Sequence, residues 1–543
     1  MATTAVGSSW ENHSWDHSAN PTVILSDQSN EASRADVLSG LSVPPRLYAF
    51  DSLEEAESFD FFQSYSIREL NGLFGTYEGF WHDSVLPASM TQPTIRYAVT
   101  ALGALHSRFV NGQDTSVPED TSDVQIRFAL QQCSRSFKAF LGYSDSQGLN
   151  SRLCALVACI IYICVASLQG LTSLTAIHFR NGINLVNSLD RSGKSTRQGA
   201  TEYDAQFASL VTVLTTLETQ ARSLLCHEKL PACIATLKSD YQIPFRDKVV
   251  IDNATQAWDY FEAFFSDLQC FIQDQETSHE WSCRGVYPRR ASVDQYKILV
   301  DRNTAGKEAI ESLRMRQNQE HGREQKTLLV IRLHAHIFDM YLKSYPLGPE
   351  LGELAWDNFE LQFREMVTLS RQILECSDEE LSAAVSSIEA GSVRLAGRRS
   401  NSHQKIVSRE SILANNHSRH KPVFTFSHGT SGPLFTVAMQ CRAPDVRRQA
   451  VALLLLYPRR EGLWDSFTAG RVAWETIQYE EEMCRDRFGE SFQVNAASDI
   501  PASCRIRGVE VSWTGPRMAK VGFNTVGEHE KGEPVVIDKT FEW

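Results

Sequence analysis

In the stretch PTIRYAVTALGALHSRFV, the residues Ile95, Val99, Leu102, Leu105 and Phe109 recur three or four apart, on one stripe of a helix. Pro93 opens that stretch, where a first helical turn tolerates a missing N–H. The same period returns in IRFALQQCSRSFKAFL, LCALVACIIYICVASL, LTAIHFRNGINLVNSL and EYDAQFASLVTVLTTLETQARSLL. Beyond the Pro-bearing loop YQIPFRDK it resumes in ATQAWDYFEAFFSDLQCFI, EQKTLLVIRLHAHIFDMYL and DNFELQFREMVTLSRQIL. Helix follows helix through short polar loops, with no alternation of strands and helices. That predicts an all-α assembly of packed helical hairpins and argues against a doubly wound sheet. Only the end differs: RIRGVEVSW, MAKVGFNTV and EPVVIDKTFEW are short, β-branched and separated by turn residues, and predict a small C-terminal β appendage.

Two segments break the helical pattern. Residues 1–60 hold ten acidic side chains against two basic ones, Arg34 and Arg46, and show no helical period until about Phe61. They predict a disordered acidic arm, in which Trp10 and Trp15 faintly echo acidic–aromatic activation segments. Residues 391–421 carry seven Lys/Arg and one Glu among Ser and Asn, and predict a basic flexible insertion. The expected division is therefore an arm at 1–60, a helical body at 61–390, the insertion at 391–421, the helical body resumed at 422–495, and the β appendage at 496–543.

Composition narrows the chemistry. The chain has 543 residues and a net charge of −13, a poor overall match for a phosphate backbone. Its twelve cysteines include no CxxC pair, which removes the usual zinc-finger and iron–sulfur arrangements. Cys154, Cys159 and Cys164 recur every five residues in an apolar stretch and read as small buried residues in a reducing compartment. The start lacks a basic n-region and an apolar h-region. The most apolar run, Leu153 to Leu168, is shorter than the ~18–20 residues of a bilayer span and reads as a buried core helix. A soluble, intracellular protein with no membrane association is expected.

The residue patterns of catalysis are missing. The sequence has no GxxxxGK[ST], no GxGxxG, no HExxH and no GxSxG. His334 and His336 stand two apart on a helical pattern and point to different faces. Glu480, Glu481 and Glu482 sit in a charged helix end and read as solvated. The expectation is no enzyme, no catalytic residue, no metal ligand and no cofactor.

The most specific segment is GPLFTVAMQCRAPDVRRQAVALLLLYPRREGLWDSFTAGRVAWETIQYEEE. Pro444 starts a helix, with Asp445 in its first turn facing the positive end of the dipole. Val446, Ala450, Leu453, Leu454 and Tyr457 form its apolar face, and Pro458 stops it. Asp465 or Ser466 can N-cap the next helix, whose core face includes Phe467, Val472 and Ile477. Arg447, Arg448, Arg459, Arg460 and Glu461 are expected to crowd the connecting loop. Two readings compete there: an anionic-ligand site, or an Arg–carboxylate lattice, accepted by Glu461 and Asp465, that pins the two helices. The lattice is the stronger one. Trp464, between two apolar helices, is expected to be buried.

This segment resembles the regulatory region of fungal zinc-cluster transcription factors. The likeness rests on CRAPDVRRQAVALL followed by PRREGLWDS, with Cys441, Arg442, Arg447, Arg448, Arg459, Arg460, Glu461, Gly462, Trp464 and Asp465 as motif residues of structural character. Far upstream, FWHDSVLPASMTQPTIRYAVTALGALHSRF, QIRFALQQCSRSFKAFL and LTAIHFRNGINLV resemble that family's segments in the same order. The resemblance implies a helical regulatory domain, a nuclear location with shuttling to the cytoplasm allowed, and control of transcription, often of a metabolic or secondary-metabolite gene cluster. The family reads DNA through an N-terminal six-cysteine zinc module, whereas no cysteine here precedes Cys133, so no DNA-binding residue is assigned. Either the chain works without its own DNA-reading module or the sequence is a piece of a longer product. Its expected partners are transcription factors or the transcription machinery, with a homodimer allowed and no sequence-specific DNA binding by this chain alone. A small-molecule-binding helical protein derived from the family is the alternative.

Overall fold

The computed structural model describes residues 50–72, 77–113, 115, 123–143, 149–193, 201–224, 249–277, 290–316, 323–346, 351–396, 420–515, 518–528 and 534–542. The first helix, α1 (Leu53–Phe61), begins eight residues before the position that the apolar period suggests. Its start is set by a cap rather than by periodicity: the Ser52 hydroxyl accepts from the amide of Glu55 at 3.2 Å. A π-helical turn at Phe62–Ser66 carries it into α2 (Ile67–Leu70). The rest of the acidic arm, residues 1–49, lies outside the described residues.

Six further helices complete the first half: α3 (Leu86–Thr91), α4 (Pro93–Val110), α5 (Val124–Tyr143), α6 (Leu149–Leu168), α7 (Thr172–Gly193) and α8 (Thr201–Leu224). Pro93 occupies the first turn of α4, and Ile95, Val99, Leu102, Leu105 and Phe109 are all buried. Helix α6 is longer than the apolar run it contains. Its stretch Ser151–Leu168 is long and apolar enough to cross a membrane, but 72% of it is buried inside the protein, which accounts for its hydrophobicity. Together these elements enclose one core, from Phe59 to Ala221.

The second half contains α9 (Ala254–Thr277), α10 (Arg290–Arg316), α11 (Arg323–Ser344), a 3₁₀ segment at Gly352–Phe359, α12 (Glu360–Leu374) and α13 (Asp378–Ala396). It closes with α14 (Ser431–Gln440), α15 (Pro444–Leu456) and α16 (Ser466–Phe488), around a second core. Helix α10 is not announced by apolar periodicity. Its inward positions are Leu299, Asn303, Ile310 and Leu313, with Gly306 against the ring of Tyr260, so a polar residue and a glycine occupy the stripe. Helix α13 extends to Ala396, into the segment expected to be a flexible insertion; residues 397–419 lie outside the described residues. Eight described cysteines are free, Cys154, Cys159 and Cys164 among them, while Cys270 is disulfide-bonded.

Strands interrupt the segment expected to be helical at 422–495. β1 (Val423–Thr425) pairs in parallel with β2 (Arg459–Glu461), which pairs antiparallel with β3 (Trp464–Asp465). This small sheet joins the two cores. Phe424 and Phe426 share one face and enter the first core, with Phe426 stacked on Trp81 at 5.6 Å. The C-terminal appendage is an antiparallel sheet of β4 (Ile506–Gly515), β5 (Met518–Glu528) and β6 (Pro534–Glu542). Ile506, Val521 and Phe523 pack with Val472 of α16.

Candidate functional site

The motif residues separate into two polar centres. In the first, α15 and α16 run antiparallel, so the start of α15 meets the end of α16. Arg447 therefore reaches Glu480, not the connecting loop. Its Nη1 donates to Glu480 Oε2 at 2.7 Å, while Arg442 Nη2 donates to Oε1 at 2.9 Å. The amide of Ile506 donates to the same Oε1 at 2.8 Å and so ties in the β appendage. All three side chains are essentially inaccessible to water. This corrects the solvated reading of Glu480. Burial by itself would raise its carboxyl, but Arg442 and Arg447 hold it below the ordinary carboxylate range. Other donors of the two guanidiniums go to Gln440 O, Ala438 O and Ile506 O, while Arg442 Nε is buried without a hydrogen-bond partner.

Around this centre, Arg448 spans Glu481 at 2.6 Å and Glu389 at 3.0 Å, which fastens α13 to the pair. Cys441 is buried just beyond α14. Arg505, also fully buried, holds Asp357 with both terminal nitrogens at 2.8 and 2.7 Å. Neither Glu480 nor the Arg505–Asp357 pair stands out in the sequence as a partner. The only hint is that a chain rich in buried arginines requires buried acceptors.

The second centre lies where the two cores meet. Arg459 Nε donates to Glu461 Oε1 at 2.7 Å, and Arg460 Nε lies 3.1 Å from Asp465. These are the expected acceptors, but both pairs belong to the β2–β3 hairpin and do not pin the helices. Glu461 also accepts from the amides of Thr430 and Ser431, at 3.1 and 2.9 Å, at the start of α14. A side chain at Gly429 would overlap the Glu461 carboxylate. Gly462 turns the hairpin at φ 60°, and any Cβ there would overlap Gln220 of α8. Gln220 bridges the cores: its Nε2 donates to Phe426 O at 2.9 Å and its Oε1 accepts from the amide of Leu463 at 3.1 Å. Asp465 caps α16, accepting from the amide of Thr468 at 2.7 Å. Trp464 is half-buried, not buried, and lies on Phe435 with ring centroids 5.4 Å apart.

A seam of buried polar groups continues from this hairpin between α8, α9 and α11. His334 Nε2 donates to Gly429 O at 2.9 Å. The hydroxyl of Thr219 donates to Thr216 O at 2.8 Å, so His428 Nε2, 3.0 Å from that hydroxyl, is the donor to it. The two imidazoles lie 5.6 Å apart, with Trp258 and Phe265 against His428. Burial pulls His334 down to about 4, opposed by Gly429 O and Glu461. Burial, reinforced by His334, holds His428 well below the ordinary histidine range. Both are neutral near pH 7. Deeper in, the Tyr77 hydroxyl donates to Thr216 at 2.9 Å, and Thr216 donates to Glu262.

Among the described residues no group of three or more His, Cys, Asp or Glu could hold a metal ion. The arginines of the motif are spent on internal carboxylates and carbonyls. The arrangement can hold two halves in one geometry.

Residues 57–281 match the family model described as "Fungal specific transcription factor domain". This chain carries a fungal specific transcription factor domain. The matched stretch runs from within α1 into the segment after α9, so it contains the first core apart from Phe424 and Phe426 and opens the second. The chain is similar to the "Aspercryptin biosynthesis cluster-specific transcription regulator atnN" of Emericella nidulans, 41% identical over 59 residues, covering 11% of this chain and 10% of that protein. It is also similar to the "Transcription regulator lscL" of Purpureocillium lilacinum, 27% identical over 105 residues, covering 19% of this chain and 25% of that protein. The chain thus matches a quarter or less of the length of either relative. Both carry the names of transcription regulators, not of enzymes. No solved structure matches.

Proposed function

We propose that the protein is a nuclear transcription regulator whose helical domain works by contact with other proteins, and that it controls a biosynthetic gene cluster. The observation that carries this reading is the domain at residues 57–281. The name of one relative, a cluster-specific transcription regulator, supports the finer statement about a cluster. Contact with proteins, not direct reading of DNA, fits the net charge of −13 and the internal pairing of the motif arginines. Phosphate binding needs cations free to shed counterions, and the motif arginines already hold carboxylates.

The test is disruption of the gene with transcript profiling, alongside a reporter to which the chain is tethered by a foreign DNA-binding domain. Coordinated change in one set of neighbouring genes, with reporter output altered by the tethered chain, is the expected result. An unchanged transcriptome together with a silent reporter would overturn the reading. Purified chain titrated against promoter and scrambled duplexes at about 150 mM salt is expected to show no preference. A specific dissociation constant near ~10⁻⁸ M would reveal a DNA-reading element.

A further inference from the structure

One helical turn beyond Glu480, α16 carries Cys484, and two residues before Ile506 the chain carries Cys504. The bond from the Ile506 amide to Glu480 therefore sets the two cysteines side by side. Arg505, held by Asp357 and by the carbonyls of Ala497 and Ile500, anchors the Cys504 side as firmly. Both cysteines are free, both are buried in one small cluster with Ile500, and their thiols share a hydrogen bond. The Cys484 thiol also reaches Asp499 O at 3.9 Å. A core cysteine needs only apolar neighbours. Two thiols brought together from separate elements are the arrangement that a disulfide requires.

The cover over the pair is thin. Met483, Phe492 and Val494 pack on it. From Asp486 to Ala496 every residue is exposed except Phe492 and Val494, which are half-buried. Phe492, Asn495 and Ala496 bond within this loop: the Phe492 amide donates to Gly489 O at 2.9 Å, and the other two amides donate to the Asp499 carboxylate at 2.8 and 2.9 Å. A loop with such local bonds, resting on the body through two apolar side chains, opens at little cost. A small oxidant reaches the sulfurs that way, with the helices still folded.

We infer that Cys484 and Cys504 form an oxidation site: a hydroperoxide closes them into a disulfide that ties α16 to the segment entering β4, and a dithiol reopens it. Burial, and then the neighbouring Cys504, push the Cys484 thiol up, so Cys504 supplies the attacking thiolate. Its sulfur bonds to one peroxide oxygen as the O–O bond breaks and hydroxide or alkoxide leaves, which gives a sulfenic acid. The sulfur of Cys484 then displaces the sulfenic oxygen. The S–S bond forms, the S–O bond breaks, and the Cys484 proton departs in the released water. Two electrons pass from the two sulfurs to the peroxide. The inference stands on the two thiols and holds whether or not the chain regulates transcription.

The full chain, reduced and freed of reductant, is treated with hydrogen peroxide, quenched with an alkylating reagent and digested with trypsin under non-reducing conditions. Cleavage leaves Cys484 in residues 472–485 and Cys504 in residues 488–505. The expected product is these two peptides joined, about 2 Da lighter than their sum and parted by dithiothreitol. It is expected to form at least about tenfold faster than Cys441, buried in the second core, is oxidised. Hydrogen exchange across residues 489–499 is expected to slow in the oxidised chain. In Cys484→Ser the sulfenic acid has no resolving thiol, and dimedone is expected to label Cys504; in Cys504→Ser, Cys484 is expected to stay reduced. A pair that stays reduced while Cys441 is oxidised, or joining of either cysteine to another one, overturns the assignment. So does a joined pair that appears only in denaturant, since the folded cover then excludes the oxidant.

Discussion

The Glu480 centre and the histidine seam are equally buried, and burial has opposite consequences in them. At Glu480 two guanidiniums and a backbone amide surround the carboxylate and keep it charged. At His334 and His428 the partners are a carbonyl, a hydroxyl and aromatic rings, so the imidazoles are kept neutral. Burial sets only the cost of a charge; the partners decide whether the group carries one. The two sites also fasten different things. The first joins α15, α16 and the β appendage within the second half, whereas the seam and its hairpin join the two halves.

The largest effect is expected from removing the acceptor alone. Glu480→Gln leaves Arg447 buried without its counter-charge and Arg442 with Glu353 alone, 3.3 Å away, at a cost of about 3–5 kcal/mol by chemical denaturation. Replacing the whole set of charges at once, Glu480→Leu with Arg442→Met, Arg447→Leu and Glu353→Gln, is expected to recover most of that loss. A fourfold variant as unstable as the single one would mean that these arginines matter through their carbonyl contacts, not through the charge pairs.

Acid separates the two centres. Unfolded histidines bind protons below about 6.5 while His334 stays neutral to about 4, so the unfolded state binds more protons in that window and stability rises with pH across it. From pH 6.5 to 4 this costs about 3 kcal/mol for His334 alone. The Glu480 contribution is present above the ordinary glutamate range near 4.5 and is lost as pH falls below it. His334→Gln is expected to flatten the first decline of the melting temperature and leave the second. A first decline unaltered by this substitution would place the titrating group elsewhere.

Trp464→Ala is a smaller change. The ring is half-buried on Phe435, so roughly 1–2 kcal/mol is expected, below the cost of a fully buried Trp. Smallest of all is Arg364→Ala. Arg364 pairs with Asp445 at 2.6 Å and Glu360 at 2.8 Å, but on the surface, and at most about 0.5–1 kcal/mol is expected, shrinking with salt. A loss at Arg364 as large as that at Glu480 would remove the distinction between buried and exposed pairs.

The starts of several helices, the Asp465 cap and the C-terminal strands were legible in the residues because each depends on neighbours a few positions away. Pro93, Pro444 and Asp465 stand at helix starts where their backbone chemistry suits them. Asn303 and Gly306 hid α10, because inward positions filled by a polar residue and a glycine escape an apolar count. Glu461 and Asp465 were legible as acceptors and hold Arg459 and Arg460, but the acceptor of Arg442 and Arg447 was not. Glu480 lies 38 residues from Arg442 and 33 from Arg447, and its local surroundings are those of a solvated helix end. Only the antiparallel packing of α15 on α16 takes it out of water.

By itself the sequence determined the helical architecture, the β appendage and the kinship of the domain, all of which follow from local periodicity and short motifs. The tertiary structure alone decided which charges are buried together, that Phe424 and Phe426 enter a core built more than 200 residues upstream, and that two histidines are neutral. The reason is physical. Backbone hydrogen bonding and side-chain period act within a turn or two of the chain. Desolvation and ion pairing act through space, and they exist only once distant segments have closed on one another.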